Sequence, residues 1–135
     1  MNIEYRKISD NDLSSLKELL KNSFDVDIKN ISNNSSQYSL VAILDNRIVG
    51  HLLFTKIYNP IEDIYWGKID YVCVDEDYRN MKIATNLLNK IEEQEPNLKY
   101  FELTSNERRV AANHLYLKHG YCIVNTNLFR KFINI

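Results

Sequence analysis

The stretch that decides the fold spans residues 72–88 and reads VCVDEDYRNMKIATNLL. Its apolar start, Val72-Cys73-Val74, is typical of a buried strand. Apolar residues then recur at helical spacing, at Ile83, Leu87, Leu88 and Ile91. A strand that enters a helix through a tight loop gathers free backbone N–H groups at the positive end of the helix dipole, where anions bind. We therefore predict an anion site at residues 79–84.

This order of strand, acidic turn, arginine-led loop and helix resembles motif A of the GNAT superfamily of N-acetyltransferases, which grips the pyrophosphate of coenzyme A. The family pattern runs V-x-V, a few turn residues, and then R/Q-x-x-G-x-G/A. It appears here as Val72-x-Val74 and Arg79-x-x-Lys82-x-Ala84. The match departs at one position, because Lys82 stands where the family usually has its first glycine.

Lys82 leaves two interpretations open. A glycine permits positive φ and a close approach of phosphate to the backbone; a lysine permits neither as easily, but it adds a cation. If Lys82 has helical φ in the first helical turn, its side chain fits without strain. The loop is either a working phosphate loop or a degenerate one, and the alternative for the whole stretch is an ordinary connection of an α/β domain.

A second segment, residues 105–121, reads SNERRVAANHLYLKHGY and predicts a helix. Ser105 or Asn106 can cap its start, and Gly120 ends it where a left-handed residue is favoured. It is similar to the last helix of many GNAT enzymes, with the pattern R-x-x-A-x-x-[LF]-Y-x-x-x-G-[FY]. The matching residues are Arg109, Ala112, Leu115, Tyr116, Gly120 and Tyr121.

The order of elements along nearly the whole chain also resembles GNAT. The resemblance implies a mixed α/β (α+β) fold in a single domain over residues 1–135, with a central, mostly antiparallel sheet of six to seven strands and about four helices. It implies transfer of an acetyl group from acetyl-CoA to a primary amine, on a small molecule or a peptide, by direct attack in a ternary complex. The alternatives are another acyl-CoA, or a CoA-binding sensor or interaction module without turnover.

The resemblance also assigns roles to residues. The backbone N–H groups of Val72 and Val74 would meet the pantetheine arm and the thioester carbonyl, with Cys73 between them. Tyr116 would protonate the departing thiolate, the alternative being that it only packs. The remaining residues of the predicted cofactor site are Arg79, Asn80, Met81, Lys82, Ile83, Ala84 and Asn113.

The general base is less defined. Asp70 lies two residues before Val72, and we expect the two to share a face because strand side chains alternate. In several GNAT enzymes a carboxylate at this place acts on the amine directly or through water; a substrate-orienting or solvated aspartate is the alternative. Glu102 is a second candidate. His51 is the histidine on a predicted central strand, and it is either structural or part of the acceptor pocket.

Periodicity predicts the other elements. The remaining strands are predicted at Ile3–Ile8, Tyr38–Leu44, Ile48–Tyr58, Ile64–Val74, Leu98–Thr104, Cys122–Val124 and Leu128–Ile133, the last two as a hairpin. Ser9 and Asp12 resemble a capping box before a first helix, and Asp45-Asn46 signals a tight turn. Residues 25–37 are polar and either shape the acceptor pocket or form an exposed loop.

Composition narrows the class of protein. The chain has 135 residues, of which 44% are hydrophobic and 26% charged, as in a soluble single domain. Its net charge of −1 argues against binding nucleic acid or an anionic membrane nonspecifically. Cys73 and Cys122 lack metal-site spacing and are expected to be free buried thiols in the cytoplasm, without a metal. A homodimer is left open.

Overall fold

The computed structural model describes residues 2–134 of a chain that divides into two compact units, Met1–Thr104 and Ser105–Ile135. The strands described are β1 Glu4–Lys7, β2 Gln37–Leu44, β3 Arg47–Asn59, β4 Ile64–Val74 and β5 Phe101–Leu103, and the α-helices are α1 Leu13–Phe24, α2 Ile83–Gln94 and α3 Val110–Lys118. The strands form one sheet in the order β1-β2-β3-β4-β5. Every neighbouring pair is antiparallel except β4 and β5. The predicted mixed class with a mostly antiparallel sheet is confirmed, but residues 2–134 contain five strands and three α-helices rather than the six to seven strands and about four helices predicted.

Two local predictions in the first unit are also confirmed. Asp45 and Asn46 both have positive φ, 52° and 62°, as a two-residue hairpin turn of the right-handed sheet requires. Ser9 and Asp12 form a capping box around the short 3-10 helix Asp10–Asp12, which leads into α1. Both features depend on residues close in sequence.

The two helices of the first unit cover opposite faces of its sheet. Leu16, Leu19 and Leu20 of α1 pack in one core cluster with Val41 of β2 and Cys73 of β4. The start of α2 lies over the other face, since a Cβ added at Gly50 would be 2.6 Å from Cγ2 of Ile83. Gly50 thus lets the first turn of α2 approach β3 closely.

Two elements differ from prediction because long-range pairing decides them. β5 has three residues rather than seven, since it pairs with β4 at Gly67–Ile69 and the two strands then part. The hairpin predicted at residues 122–133 is wrong, because no strand is described in residues 121–134. An isolated hairpin is marginally stable in water, so an alternating pattern alone does not produce one.

The absent hairpin changes the environment of one thiol. Cys73 is buried as predicted, whereas Cys122 is exposed. The apolar side chains after it are exposed too, Phe129 to 89%. None of the helices in residues 2–134 has the length and apolar character needed to cross a bilayer.

Candidate active site

The open edge of β4 is the first component of the candidate site. β5 accompanies β4 only as far as Ile69, so in residues 2–134 no strand continues along that edge beside residues 70–74. The N–H of Asp75 donates to the carbonyl of Val49 on β3, at 2.8 Å. Because successive N–H groups of a strand point to opposite sides, those of Val72 and Val74 point toward the open edge.

A β-bulge in β4 corrects one expectation about Asp70. In the register of β3 and β4, Leu53 lies opposite Asp70 and His51 lies opposite Cys73. One residue of β3, Leu52, therefore faces two residues of β4, and Tyr71 has a φ of 53°. The bulge shifts the alternation by one residue. The side chain of Asp70 thus shares a face with Cys73, not with Val72, and this is the face that α1 covers.

A rigid acidic turn follows β4. The Asp75 carboxylate accepts the N–H of Asp77 at 3.0 Å, and Arg47 at the start of β3 donates to the same carboxylate at 2.6 Å. The N–H of Tyr78 returns to the carbonyl of Asp75 at 2.9 Å. Arg47 thus anchors the exit of the strand, a role that no feature of the sequence indicates. The role of Gly50 did have a signal, because a glycine inside a strand often marks a close backbone approach.

The loop between this turn and α2 has positive φ angles of the kind that glycine usually adopts, although it contains no glycine. Lys82 is the N-cap of α2 and has a φ of 61° and ψ of 22°. Lys82 therefore does not have the helical φ that would let its side chain fit without strain. It adopts the left-handed region that a glycine would favour. Asn80 is left-handed too, with a φ of 65°. Asparagine tolerates this region better than lysine does.

Free donors converge at the start of α2. The hydrogen bond from the N–H of Asn86 to the carbonyl of Lys82, 2.9 Å long, opens the helical ladder. The N–H groups of Ile83, Ala84 and Thr85 precede it and have no helical acceptor. The side chains of Arg79 and Lys82 are exposed beside them. N–H groups, helix dipole and two cations are the chemistry that a diphosphate requires, so these residues fit the predicted anion.

The conformation of Lys82 gives a prediction for stability. We expect Lys82→Gly to raise the free energy of unfolding by about 0.5–1 kcal/mol, because relief of left-handed strain outweighs the extra freedom of the unfolded chain. Urea unfolding monitored by circular dichroism measures it. Arg79→Gly is the matched control: Arg79 is exposed with an extended φ of −71°, so glycine there should destabilise. Equal destabilisation by both substitutions would contradict the claim that the backbone of Lys82 is strained.

Charged residues surround Asp70 on its face of the sheet. Asp70 lies 3.6 Å from Nζ of Lys68, and its side chain is 28% exposed. Lys68 in turn lies opposite Glu102 of β5, so the two candidate bases lie near the point where the strands part. Val26, Ile28 and Ile31 of the polar segment pack against the core cluster on this same face. They form no helix, and they hold the segment on the side of Asp70.

The second unit holds Tyr116 and Asn113 on α3. The helix begins at Val110, later than predicted, because the Asn106 side chain accepts the N–H of Arg108 in a turn at 2.9 Å. The Asn113 amide donates to the carbonyl of Asn106 at 3.0 Å, so it fixes this turn. Its role toward a cofactor stays a prediction.

The end of α3 matches its prediction. Gly120 has a φ of 99°, and the N–H of Tyr121 donates to the carbonyl of Tyr116 at 3.0 Å, as in a Schellman ending. The rings of Tyr116 and Tyr121 meet edge to face with centroids 6.0 Å apart. Tyr116 is therefore held rigidly within its own unit, and its part in chemistry stays a prediction.

His51 on β3 is a buried titratable group of the sheet. Burial lowers its pKa to about 4, whereas an unfolded histidine has a pKa of about 6.5. Between these values the unfolded chain binds a proton that the folded chain does not. The contribution of His51 to the free energy of unfolding is therefore fully present above about pH 6.5. We expect it to fall by about 3 kcal/mol as the pH drops to 4.

We expect urea unfolding across this pH range to show that loss. His51→Asn should remove most of the slope, because asparagine does not titrate, whereas His114→Asn at an exposed position should retain it. A slope unchanged in His51→Asn would assign the acid sensitivity to other groups.

Similar solved structures share this fold at low sequence identity. A transcriptional regulator from Bacillus halodurans C-125 is 18% identical with a TM-score of 0.85, over 97% of this chain and 100% of that one. A ribosomal-protein-alanine N-acetyltransferase from Brucella melitensis biovar Abortus 2308 is 16% identical with a TM-score of 0.82, over 98% and 100%. An aminoglycoside acetyltransferase from an uncultured soil metagenomic sample, solved with trehalose, is 18% identical with a TM-score of 0.83, over 98% and 97%.

Sequence comparison gives the family. No curated protein matches this sequence. The family model described as acetyltransferase (GNAT) family matches residues 6–121. Because this match spans most of the chain, including both the loop before α2 and the end of α3, the chain belongs to the GNAT acetyltransferase family.

Proposed function

We propose that this chain is an N-acetyltransferase that moves an acetyl group from acetyl-CoA to a primary amine by direct attack in a ternary complex. Enzymes of the GNAT family use an acyl-CoA as cosubstrate, commonly acetyl-CoA. The observation that carries the proposal is the presence of two sets of N–H groups, those of Val72 and Val74 at the open edge of β4 and those at the start of α2, with a hydrogen-bonded turn between them. A thioester, its pantetheine arm and a diphosphate need donors in that order.

The phosphate end of the site would be held by backbone N–H groups of residues 80–84, with Arg79 and Lys82 neutralising charge. The left-handed φ of Lys82 supports this assignment, because it keeps the backbone of a glycine loop while adding a cation beside it. Cys73 points its side chain into the core on the α1 face and its N–H toward β3, so it would contribute to the cofactor site only as the spacer between Val72 and Val74.

At the other end, the acetyl group of the thioester would meet the N–H groups of Val72 and Val74. Such donors stabilise the oxyanion that develops on the carbonyl during attack. Asp70 would take the proton of the amine, directly or through water. Tyr116 would give a proton to the sulfur as the carbon–sulfur bond breaks and the carbon–nitrogen bond forms; the family pattern of α3 alone supports this last role.

The acceptor would approach over the face of Asp70, where the segment of residues 25–36 also packs. Two of the similar structures are named for aminoglycosides and for a ribosomal-protein alanine, and both of these acceptors carry amines. We propose a small-molecule or peptide amine, acetylated in the cytoplasm where acetyl-CoA is available, by a chain that acts as one domain.

A panel of amines tests the proposal. The panel contains aminoglycosides, polyamines and peptides with a free alanine or serine amino terminus, and mass spectrometry measures an added acetyl group. We expect transfer to at least one class, abolished when acetyl-CoA is replaced by coenzyme A. Binding of coenzyme A without transfer or hydrolysis across the panel would refute the enzymatic proposal.

That second result defines the rival function, a CoA-binding sensor without turnover. The structure from Bacillus halodurans is named as a transcriptional regulator, and Lys82 departs from the family's glycine. Affinity for coenzyme A does not separate the two functions, because both require it. Turnover in the amine panel does.

A further inference from the structure

His51 bonds directly to the bulge in β4. Its Nδ1 lies 2.8 Å from the carbonyl oxygen of Tyr71, the residue whose φ of 53° creates the bulge. A tyrosine in the left-handed region is strained, and such a conformation persists only where the surroundings hold it. The bond from His51 is a side-chain contact that holds the carbonyl of Tyr71 in place.

The partners of the two ring nitrogens fix the tautomer of His51. Its Nε2 lies 2.8 Å from Oγ of Ser39 on β2. A carbonyl oxygen can only accept, so Nδ1 carries the hydrogen, and Nε2 accepts the hydroxyl proton of Ser39. His51 is 2% exposed and Ser39 is 5% exposed. Burial lowers the pKa of the ring to about 4, which keeps the imidazole neutral and this pair of bonds intact near neutral pH.

The bulge decides which N–H groups reach the open edge. The N–H of Gly67 donates to the carbonyl of Tyr100, just before β5, so in a regular strand residues 69, 71 and 73 would point the same way. The extra residue shifts this pattern to Val72 and Val74. It also leaves the side chain of Asp70 on the opposite face from that of Val72. Loss of the bulge would therefore turn the wrong N–H groups toward the thioester.

We propose that His51 is a positioning residue for acetyl transfer, which acts through the carbonyl of Tyr71 by holding the bulge that presents the N–H groups of Val72 and Val74. This inference rests on the proposed function, because it assigns those N–H groups to the thioester. His51 touches neither substrate. The phosphate loop is held by other contacts, including that of Arg47 with Asp75, so the diphosphate of coenzyme A would bind independently of His51.

Two substitutions of His51 separate positioning from packing. His51→Leu removes both nitrogens and keeps much of the volume. His51→Asn has a side-chain N–H that can donate from about the position of Nδ1. We expect His51→Leu to lower kcat by about 10- to 100-fold, with little change in the affinity for coenzyme A, and His51→Asn to recover most of kcat. Circular dichroism at neutral pH confirms that each variant is folded.

Full kcat in His51→Leu overturns the proposal, as does an Asn variant no better than the Leu variant. If either variant fails to fold, Ser39→Ala gives the test, since it removes the bond to Nε2 from outside the ring. We expect a smaller loss of kcat there, and a second population with the hydrogen on Nε2. An unchanged kcat together with an unchanged tautomer in Ser39→Ala overturns the proposal.

Nuclear magnetic resonance provides a readout that does not depend on turnover. Imidazole nitrogen shifts of the wild-type protein should show the hydrogen on Nδ1. The coupling between the amide and α protons of Tyr71 should report its positive φ, and this φ should be lost in His51→Leu. A hydrogen on Nε2, or an unchanged φ in His51→Leu, overturns the proposal even if the protein transfers no acetyl group. Absence of transfer with these signatures present refutes only the proposed function.

Discussion

Tyr116→Phe is expected to lower kcat by about 10²–10⁴-fold with little change in affinity for acetyl-CoA. The substitution removes one oxygen and leaves the ring, which packs against Tyr121. If the Tyr116 hydroxyl protonates the departing sulfur, its loss acts in the transition state and not in binding. Steady-state kinetics with saturating amine, together with calorimetric affinity for coenzyme A, measures both quantities.

Tyr121→Phe is the matched control, because Tyr121 lies in the same unit and the same ring pair but has no assigned role. We expect its kcat to stay near that of the wild-type protein. Equal values of kcat in the Tyr116 variant and the wild type would reduce Tyr116 to a packing residue. A small loss would mean that water can protonate the thiolate, since a thiol has a pKa of about 8.5 and leaves with modest help.

Asp70→Asn is expected to lower kcat by about 10²-fold or more, because the substitution keeps the shape of the side chain and removes its ability to take a proton. The loss should be largest at low pH, where the acceptor amine is mostly protonated and must lose a proton before attack. A pH–rate profile over the range in which the protein is folded measures it.

Glu102→Gln is the matched control for Asp70→Asn. Glu102 is an exposed carboxylate on β5, opposite Lys68, which also pairs with Asp70. We expect the smaller effect there, because Asp70 lies on the strand whose N–H groups would hold the thioester. A pH–rate profile that Asp70→Asn leaves intact but Glu102→Gln changes would transfer the role of base to Glu102. If neither changes it, the proton goes to water.

The features that the sequence predicted well depend on neighbouring residues. β4 occupies Ile64–Val74 as its apolar pattern indicates. The turn at Asp45-Asn46 and the ending at Gly120 depend on residues that tolerate positive φ. The position of the candidate anion site follows from the same local signals, since a strand, a loop and an amphipathic helix are each visible in residues 72–88.

The features that the sequence could not predict depend on distant contacts. No residue near Tyr71 in sequence indicates a bulge, because the contacts that hold it come from other strands. His51 on β3 bonds to the carbonyl of Tyr71, and Ser39 on β2 bonds to the other ring nitrogen of His51. The face of Asp70 was therefore predicted wrongly from simple alternation. Lys82 takes a left-handed φ although its residue type disfavours it. The short β5 likewise results from the divergence of β4, which only the register shows.

A crystal structure with bound coenzyme A is the most direct measurement of the proposed cofactor site. We predict diphosphate oxygens at hydrogen-bond distance, about 2.7–3.2 Å, from backbone N–H groups of residues 80–84, with Arg79 or Lys82 beside them. The pantetheine arm should then run along the open edge of β4 at Val72 and Val74. A diphosphate bound elsewhere, or no binding of coenzyme A in crystals soaked at millimolar concentration, would contradict the site.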